Sequence, residues 1–347
     1  MFTGGRWSDP AAAFICDRSP NLYAAAIIPA PMPRVFLTID TELAWRHHAA
    51  GHDAATVEAR SIEPGGVGLA WQLAALTRHQ LKATFFVDPM PALVYGLDPF
   101  RRIVAAVLEA GQEVQLHLHA NWRGAAIDDR GAHGAFELID HSAEQQRDLL
   151  AQARDLLMGA DAPTPVAFRS GSYSANDETL SALAGLGIQY DSSHNGAHHP
   201  WPSAIALPPS CIAPVARHGV VEVPVTVIED RPGLWRNFQI CALSAGEMRA
   251  ALDHAISEQH VATTIVGHSF ELANRAGTAA NRVHVNRFER LCALLAERRD
   301  TAPTTHFADN PILALDREDA PLPASALRRG RRQAEQLWSN LVAERAA

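Results

Sequence analysis

Short apolar runs that alternate with helical segments constrain the fold of this chain most strongly. The runs are rich in β-branched and aromatic residues, and they lie at 34–39, 82–87, 113–118, 166–169, 188–190, 220–228 and 263–266. Strands that alternate with helices indicate a parallel sheet, because parallel neighbours need long crossover connections. We therefore predict an α/β fold whose parallel sheet forms a closed or partly closed barrel. A doubly wound open sheet is the alternative.

Helix signals occupy the gaps between these runs. Apolar residues recur at helical spacing in segments 66–79, 99–110, 142–159, 177–186, 244–260 and 282–299. Ser142 and Ser244 each precede a Gln or Glu by three residues, the spacing of a capping box. Asn176 is the expected N-cap of the fourth segment, and Gly159 marks the end of the third.

Composition and charge exclude several classes of protein. The 347 residues are 47% hydrophobic and 20% charged, enough to form a sizeable core. A net charge of −8 argues against a nucleic-acid partner. The four cysteines form no CxxC pair, so a zinc ribbon or redox motif is not supported. We find no convincing signal peptide or membrane span and expect a cytoplasmic protein. The oligomeric state is not predicted.

The chain divides into three predicted regions. Residues 1–31 carry Pro, Gly and Ala without periodicity and are expected to form an irregular N-terminal arm. Residues 32–310 contain the alternating strands and helices of the barrel. Residues 311–347 form a C-terminal extension that ends in an arginine-rich helical pattern, interpreted as a solvated helix packed on the barrel.

Four apolar runs stop at side chains that carry chemistry. Asp40 and Glu42 follow the first run, and His117 and His119 close the third. Arg169 follows 166–168, and His268 follows 264–267. Such runs are typical of buried strands that place polar side chains at one rim of a barrel. Together they supply the groups needed for a divalent metal, a general base, an orienting cation and a general acid.

At these residues the chain resembles the polysaccharide deacetylase family, also called NodB-homology proteins or family-four carbohydrate esterases. The resemblance runs from about residue 34 to about residue 310 and consists of five motifs in the family's order. It implies a divergent branch with an α/β fold, a distorted (β/α) barrel with seven or eight parallel strands. It also implies a metal-dependent hydrolase that removes an N-acetyl group from a sugar or saccharide intermediate.

The first motif of the family is an aspartate pair after the first strand. Here it is Asp40-Thr41-Glu42, in which Asp40 matches the catalytic base. Thr41 replaces the neighbouring metal-ligand aspartate, and the resemblance then makes Glu42 the ligand. Two acids at a strand terminus suit both acid–base and metal chemistry.

The second motif normally supplies two metal-binding histidines four residues apart. His117 matches the first, whereas Asn121 occupies the second position and His119 is the nearest substitute. The expected metal ligands are therefore Glu42, His117, His119 and Asn121. The expected cofactor is a divalent metal, with zinc as the first choice. Asn is a weaker zinc ligand than imidazole.

The third motif supplies an arginine that pairs with the catalytic base. Arg169 matches it, and the resemblance implies that it keeps Asp40 ionised and oriented. Gly171 stands at the position of the family proline and Ser172 at that of the aromatic residue. The backbone N–H of Tyr173 is the expected oxyanion donor.

The remaining motifs complete the predicted site. His268 matches the family's general acid after the last core strand, and Tyr190-Asp191 resembles the degenerate fourth motif. Trp122, Ser172 and Asp191 are the candidate substrate contacts, since sugar rings stack on indoles and bond to polar groups. The expected substrate is a carbohydrate or another small molecule.

Two alternative functions remain open from the sequence. The family also includes hydrolases of small nitrogen heterocycles, so the substrate could be a cyclic amide. The replacements at Thr41 and Asn121 also leave open a degenerate, non-catalytic carbohydrate-binding member. Stoichiometric zinc binding would distinguish the enzyme from the latter.

Overall fold

An eight-stranded sheet curls into an incomplete barrel at the centre of the structure. The computed structural model describes residues 32–127 and 136–339, and all bounds refer to those residues. The strands are β1 (Arg34–Thr41), β2 (Thr84–Val87), β3 (Glu113–Leu118), β4 (Ala167–Ser170), β5 (Tyr190–Asp191), β6 (Val215–Arg217), β7 (Val220–Glu222), β8 (Val227–Arg231), β9 (Leu234–Asn237) and β10 (Ala262–His268). The sheet order is β10-β1-β2-β3-β4-β5-β7-β6, and β8 and β9 form a separate hairpin.

Seven strands of the sheet are parallel, and only β6 at the edge runs antiparallel to its neighbour β7. The prediction of a distorted (β/α) barrel with seven or eight parallel strands is therefore confirmed. The predicted N-terminal arm, residues 1–31, lies outside the described residues.

Ten α-helices connect and cover these strands in the described part of the chain. They are α1 (Trp45–Ala49), α2 (Ala54–Ile62), α3 (Leu69–His79), α4 (Ala92–Tyr95), α5 (Asp98–Glu109), α6 (Ala143–Gly159), α7 (Asp177–Gly185), α8 (Ala245–Ser257), α9 (Arg282–Glu297) and α10 (Ala326–Trp338). Ser142 and Ser244 form the predicted capping boxes of α6 and α8, and Asn176 caps α7. No described helix combines the length and the apolar character needed to cross a membrane.

The two largest apolar cores among the described residues lie on opposite faces of the sheet. The larger core lies between the sheet and the helices and includes Leu37, Phe85 and Leu116. The smaller core fills the inside of the barrel, where Phe36 stacks on Phe307 with ring centroids 4.5 Å apart. Apolar side chains therefore fill the interior of the barrel. The polar side chains at the carboxyl ends of the strands lie directly above this packed core.

An irregular segment after β7 bridges the open side of the barrel. Val225 N–H donates to the carbonyl of His194 beyond β5, and Thr226 N–H donates to Thr264 of β10 at 3.2 Å. The prediction of one continuous strand over 220–228 is wrong, because Pro224 has no N–H for a strand ladder. The chain leaves the sheet there, crosses to β10 and continues into β8.

The helix predicted for the C-terminal extension is present as α10. Arg332 is buried beneath it, where Nη2 donates to Asp230 at 2.8 Å and Nε lies 3.3 Å from Glu247. Glu335 accepts a hydrogen bond from Arg287 of α9 at 3.2 Å. Ion pairs with buried partners therefore fix this helix against α8 and α9. The boundary predicted at residue 311 stays a prediction.

Candidate active site

Strand register brings the predicted catalytic side chains to one end of the barrel. Asp40 of β1 is opposite His268 of β10, and His117 of β3 is opposite Arg169 of β4. Parallel strands present their carboxyl ends at the same edge, so residues far apart in sequence meet there. Glu42 follows β1 at this same edge.

A buried ion pair joins Asp40 and Arg169. Arg169 Nη1 donates to Asp40 Oδ1 at 2.8 Å and to Thr38 Oγ1 at 2.6 Å. Its Nε and Nη2 donate to the carbonyl and hydroxyl of Ser192 at 3.0 and 2.9 Å. The guanidinium carbon lies 4.5 Å from the centroid of the Phe86 ring. These contacts hold the cation on all sides, and Asp40 Oδ2 is left to face His268.

Glu42, His117 and His119 form a cluster suited to a metal ion. One possible ligand atom from each lies within 4.8 Å of the others. His117 Nε2 is 3.2 Å from Glu42 Oε2, and His119 Nε2 contacts the same oxygen. His117 Nδ1 donates to the carbonyl of Arg169 at 2.7 Å, which fixes the ring with Nε2 directed toward Glu42. One carboxylate and two imidazoles are a ligand set that zinc and similar ions bind.

The electrostatics of this cluster favour a cation. Burial alone would lower the pKa of His119, but the charges of Glu42, Asp88 and Glu137 outweigh it and raise that pKa to about 9. Burial alone would raise the pKa of Glu42, but His119 and His117 hold it well below its usual range. The carboxylates give this cluster a negative potential, which attracts a divalent ion.

Gly171 gives His119 its position. A Cβ at residue 171 would lie 2.4 Å from His119 Nδ1, closer than any real contact. Only glycine therefore leaves space for this imidazole beside Glu42. Asn121, the other predicted ligand, is buried in a short 3₁₀ turn, and its Oδ1 has no hydrogen-bond partner among the described residues. Its role as a ligand stays a prediction.

His268 lies between the carboxylates of Asp40 and Glu271. Its Nε2 lies 3.9 Å from Asp40 Oδ2, and its Nδ1 lies 3.6 Å from Glu271 Oε2. Burial alone would lower the pKa of His268, but Glu271, Asp40 and Glu42 raise it to about 9. Backbone N–H groups of His268 and Cys241 donate to Glu271 at 3.0 and 2.9 Å and fix it. The imidazole is therefore protonated at neutral pH.

Ser172 and Tyr173 lie in the turn directly after β4, the strand that carries Arg169. Both have left-handed backbone conformations, with φ of 55° and 60°. A bulky residue in this region is strained, and such strain concentrates at functional sites. Tyr173 is buried against His198, with ring centroids 5.2 Å apart, and burial raises the pKa of its hydroxyl well above the usual range. Ser172 is exposed.

Two predicted substrate contacts are not accessible from solvent. Trp122 is 1% exposed and packs edge-on against Trp45, with ring centroids 4.8 Å apart. Asp191 is fully buried; Tyr190 and Ser192 on either side face the barrel interior, so Asp191 faces outward. Packing covers both side chains, and their role as substrate contacts stays a prediction.

Glu271 and Asp88 also lie at the site, although their sequence positions were not among the predicted site residues. Glu271 lies three residues after His268 on the same turn. Asp88 directly follows β2, and burial raises its pKa to about 6 although His119 and His117 act to lower it. The signal for Asp88 was available, since a carboxylate that follows an apolar run is the same pattern that identified Asp40.

Comparisons with known proteins bear on the fold. No family model and no curated protein matches this chain. A candidate polysaccharide deacetylase from Mycobacterium smegmatis superposes with a TM-score of 0.54 at 17% identity, covering 84% of this chain and 96% of that one. A family 4 carbohydrate esterase from Streptomyces lividans covers 82% of this chain and 98% of that one, at 13% identity and a TM-score of 0.40. A family 4 pseudoenzyme from Bacillus anthracis covers 86% and 71%, at 12% identity and a TM-score of 0.43.

The first of these structures identifies the class of fold, since its TM-score alone exceeds 0.5 among the three. The chain has a polysaccharide-deacetylase-like (β/α) barrel, and the resemblance inferred from the motifs is confirmed at the level of the fold. A fold does not determine a reaction, so the chemistry must be argued from the side chains at the rim.

Proposed function

We propose that this chain is a metal-dependent hydrolase that removes an N-acetyl group from a sugar or saccharide intermediate. The observation that carries the proposal is the convergence of three units at one end of the barrel. They are the Asp40–Arg169 pair, the His268–Glu271 pair and the Glu42–His117–His119 cluster. These units correspond to a general base, a general acid and a metal site.

Glu42, His117 and His119 would hold the metal ion. When bound there, a divalent ion polarises the acetyl carbonyl and stabilises the negative charge that develops on its oxygen. The orientation of His117 by the Arg169 carbonyl and the charge of Glu42 make this cluster a suitable ligand set.

Asp40 and His268 would move the protons. Arg169 occupies Asp40 Oδ1, so Oδ2 is the oxygen that accepts the proton of the attacking water. His268 Nε2, 3.9 Å away, donates a proton to the departing amine nitrogen. The Tyr173 N–H would donate to the oxyanion, and Ser172 would contact the substrate at the surface. Glu271 raises the pKa of His268 and so would keep its imidazole protonated before this transfer.

The test is acetate release from N-acetylglucosamine oligosaccharides and nucleotide-linked N-acetyl sugars. We expect turnover by zinc-loaded protein, loss of turnover after chelation, and recovery when zinc is added back. His268→Ala should lose about 10²- to 10⁴-fold in kcat while retaining zinc and its circular dichroism spectrum. Turnover by the variant at the wild-type rate would remove His268 from the mechanism.

The same measurements separate the two alternatives. Stoichiometric zinc without acetate release, together with ring opening of a cyclic amide such as a hydantoin, would assign the heterocycle activity. Protein that takes up no metal and releases no acetate, but retains oligosaccharide binding, would assign the non-catalytic role. The latter remains relevant because Asn121 stands at the position of a histidine ligand.

A further inference from the structure

Asp88 lies between the strands that carry the metal-site residues. Val87, the last residue of β2, is opposite Thr41 of β1 and Leu116 of β3. The residues that follow these three are Glu42, Asp88 and His117, so they form one row across the rim. Asp88 N–H donates to the carbonyl of Thr41 at 3.0 Å, which extends the β1–β2 pairing by one residue.

Side-chain alternation places Asp88 on the inner face of the barrel. Phe86, two residues earlier, lies inside, with its ring beneath the Arg169 guanidinium. Side chains two apart on an extended strand share a face. The Asp88 carboxylate therefore lies on the same face as Asp40 and Arg169, between the strands of Glu42 and His117.

One oxygen of Asp88 is unsatisfied. The side chain is 0% exposed, and Oδ1 accepts a hydrogen bond from Met90 N–H at 3.0 Å. Oδ2 is buried and has no hydrogen-bond partner among residues 32–127 and 136–339. A buried carboxylate oxygen without a donor is costly. The charges of His119 and His117, two members of the metal cluster, act on this carboxylate.

We propose, on the basis of the metal site in the proposed function, that Asp88 Oδ2 is an additional oxygen ligand of the ion held by Glu42, His117 and His119. Two carboxylates and two neutral imidazoles balance the charge of a divalent ion. A neutral site is far less costly to bury than a charged one. The ion would give Oδ2 the partner that the protein does not supply.

Asp88→Asn tests this role with little change in shape. The amide keeps an oxygen for Met90 N–H and replaces Oδ2 by a nitrogen, which cannot ligate a divalent ion. Affinities for Zn²⁺ and for Mn²⁺ are measured by competition with a chromophoric chelator. We expect the variant to bind each ion about 10- to 100-fold more weakly than wild type, the range found for altered metal-site residues.

The thermal stability of the metal-free protein distinguishes a metal ligand from a residue that only supports the fold. If Asp88 only supported the fold, the metal-free variant would unfold at a lower temperature than wild type. If Asp88 is instead a ligand with an unsatisfied oxygen, Asp88→Asn should leave the Tm of the metal-free protein unchanged or higher. The variant should also show a smaller rise in Tm when Zn²⁺ is added. Glu222→Gln, which removes a buried carboxyl on the outer face of the sheet, should retain wild-type Zn²⁺ affinity.

The outcomes separate this inference from the proposed function. Wild-type protein that binds neither Zn²⁺ nor Mn²⁺ would overturn both. Tight binding by wild type and equally tight binding by Asp88→Asn would overturn the role of Asp88 alone. If the variant does not fold, a crystal structure of zinc-loaded wild type decides the matter. An anomalous peak within about 2.2 Å of Asp88 Oδ2 supports the role, and a peak beyond bonding distance rejects it.

Discussion

Two clusters of buried carboxyl groups lie at strand ends in this barrel, and their surroundings differ completely. The rim cluster comprises Asp40, Glu42, His117, His119 and His268, where every carboxylate faces a cation or an imidazole. The acid pair comprises Asp191 of β5 and Glu222 of β7, opposite each other on the outer face of the sheet.

The acid pair is buried and hydrogen-bonded to neighbouring residues of the loop after β5. Ser193 Oγ donates to Asp191 at 2.7 Å, and His194 N–H donates to Glu222 at 3.0 Å. Burial and the charge of Asp191 raise the pKa of Glu222 well above its usual range, and burial also raises that of Asp191. Burial and the neighbouring Asp191 therefore favour the protonated form of Glu222.

The contrast shows that two strand-end acids with the same sequence pattern can have opposite surroundings. Asp40 and Asp191 both follow apolar runs, and the family resemblance implied a role in the site for both. Counter-charge and access distinguish them: Asp40 has Arg169 and faces His268, whereas Asp191 has a second carboxyl and no route to solvent. The following predictions test this contrast.

The largest effect should come from the matched pair Asp40→Asn and Asp191→Asn. Asp40→Asn removes the proposed proton acceptor and should lower kcat for acetate release by about 10²- to 10⁴-fold. Asp191→Asn should leave kcat within about twofold, because this side chain does not reach the site. Equal losses in both variants, at equal zinc content, would show that the acid pair also takes part in turnover.

Gly171→Ala should weaken metal binding without changing any ligand. The new methyl group would lie 2.4 Å from His119 Nδ1 and force that ring away from Glu42. We expect Zn²⁺ affinity to fall about 10- to 100-fold, as measured by chelator competition. Gly185→Ala, at a helix end with open space around it, is the control and should bind Zn²⁺ like wild type. Unchanged affinity in Gly171→Ala would mean that His119 is not a ligand.

Glu271→Gln should shift the high-pH limb of the activity profile. His268 must be protonated to act as an acid, so activity is lost as pH rises through its pKa of about 9. Without the Glu271 carboxylate, less negative charge offsets the effect of burial, so the pKa of His268 falls. The high-pH limb of the activity profile should then move down by about one to two pH units. A limb that stays near pH 9 in the kcat/KM profile would assign it to another group.

Glu222→Gln should change stability and its pH dependence. The folded state binds more protons than the unfolded state between the ordinary pKa of Glu and the raised pKa of Glu222, so the free energy of unfolding falls as pH rises through that window. Gln donates a hydrogen bond without titrating and should remove up to about 1.4 kcal/mol per pH unit of this fall. Urea unfolding between pH 5 and 9 measures it. Glu58→Gln, at an exposed ion pair with Arg102, should change little.

Much of the fold could be predicted from the sequence because it follows from local patterns. Strand β3 was predicted with its observed ends, and the capping boxes gave the starts of α6 and α8. The hairpin of β8 and β9 was not predicted, because its register depends on contacts beyond the local sequence.

The candidate site could be predicted where side chains lie on the strands and less well where tertiary packing decides. Asp40, His117 and Arg169 follow from strand ends. The burial of Trp122 and of Asp191 does not, since it depends on which loops and strands cover them. The space for His119 beside Gly171 is likewise a property of two segments that meet only in the folded chain.

The position of β1 between β2 and β10 has a consequence for biosynthesis. During translation, β1 through β9 leave the ribosome before β10 does, so one edge of β1 stays unpaired until the last strand arrives. Asp40 cannot meet His268 before then. A nascent chain lacks the proposed proton donor, and a fragment ending before Ala262 should regain it only when a peptide carrying β10 is supplied separately.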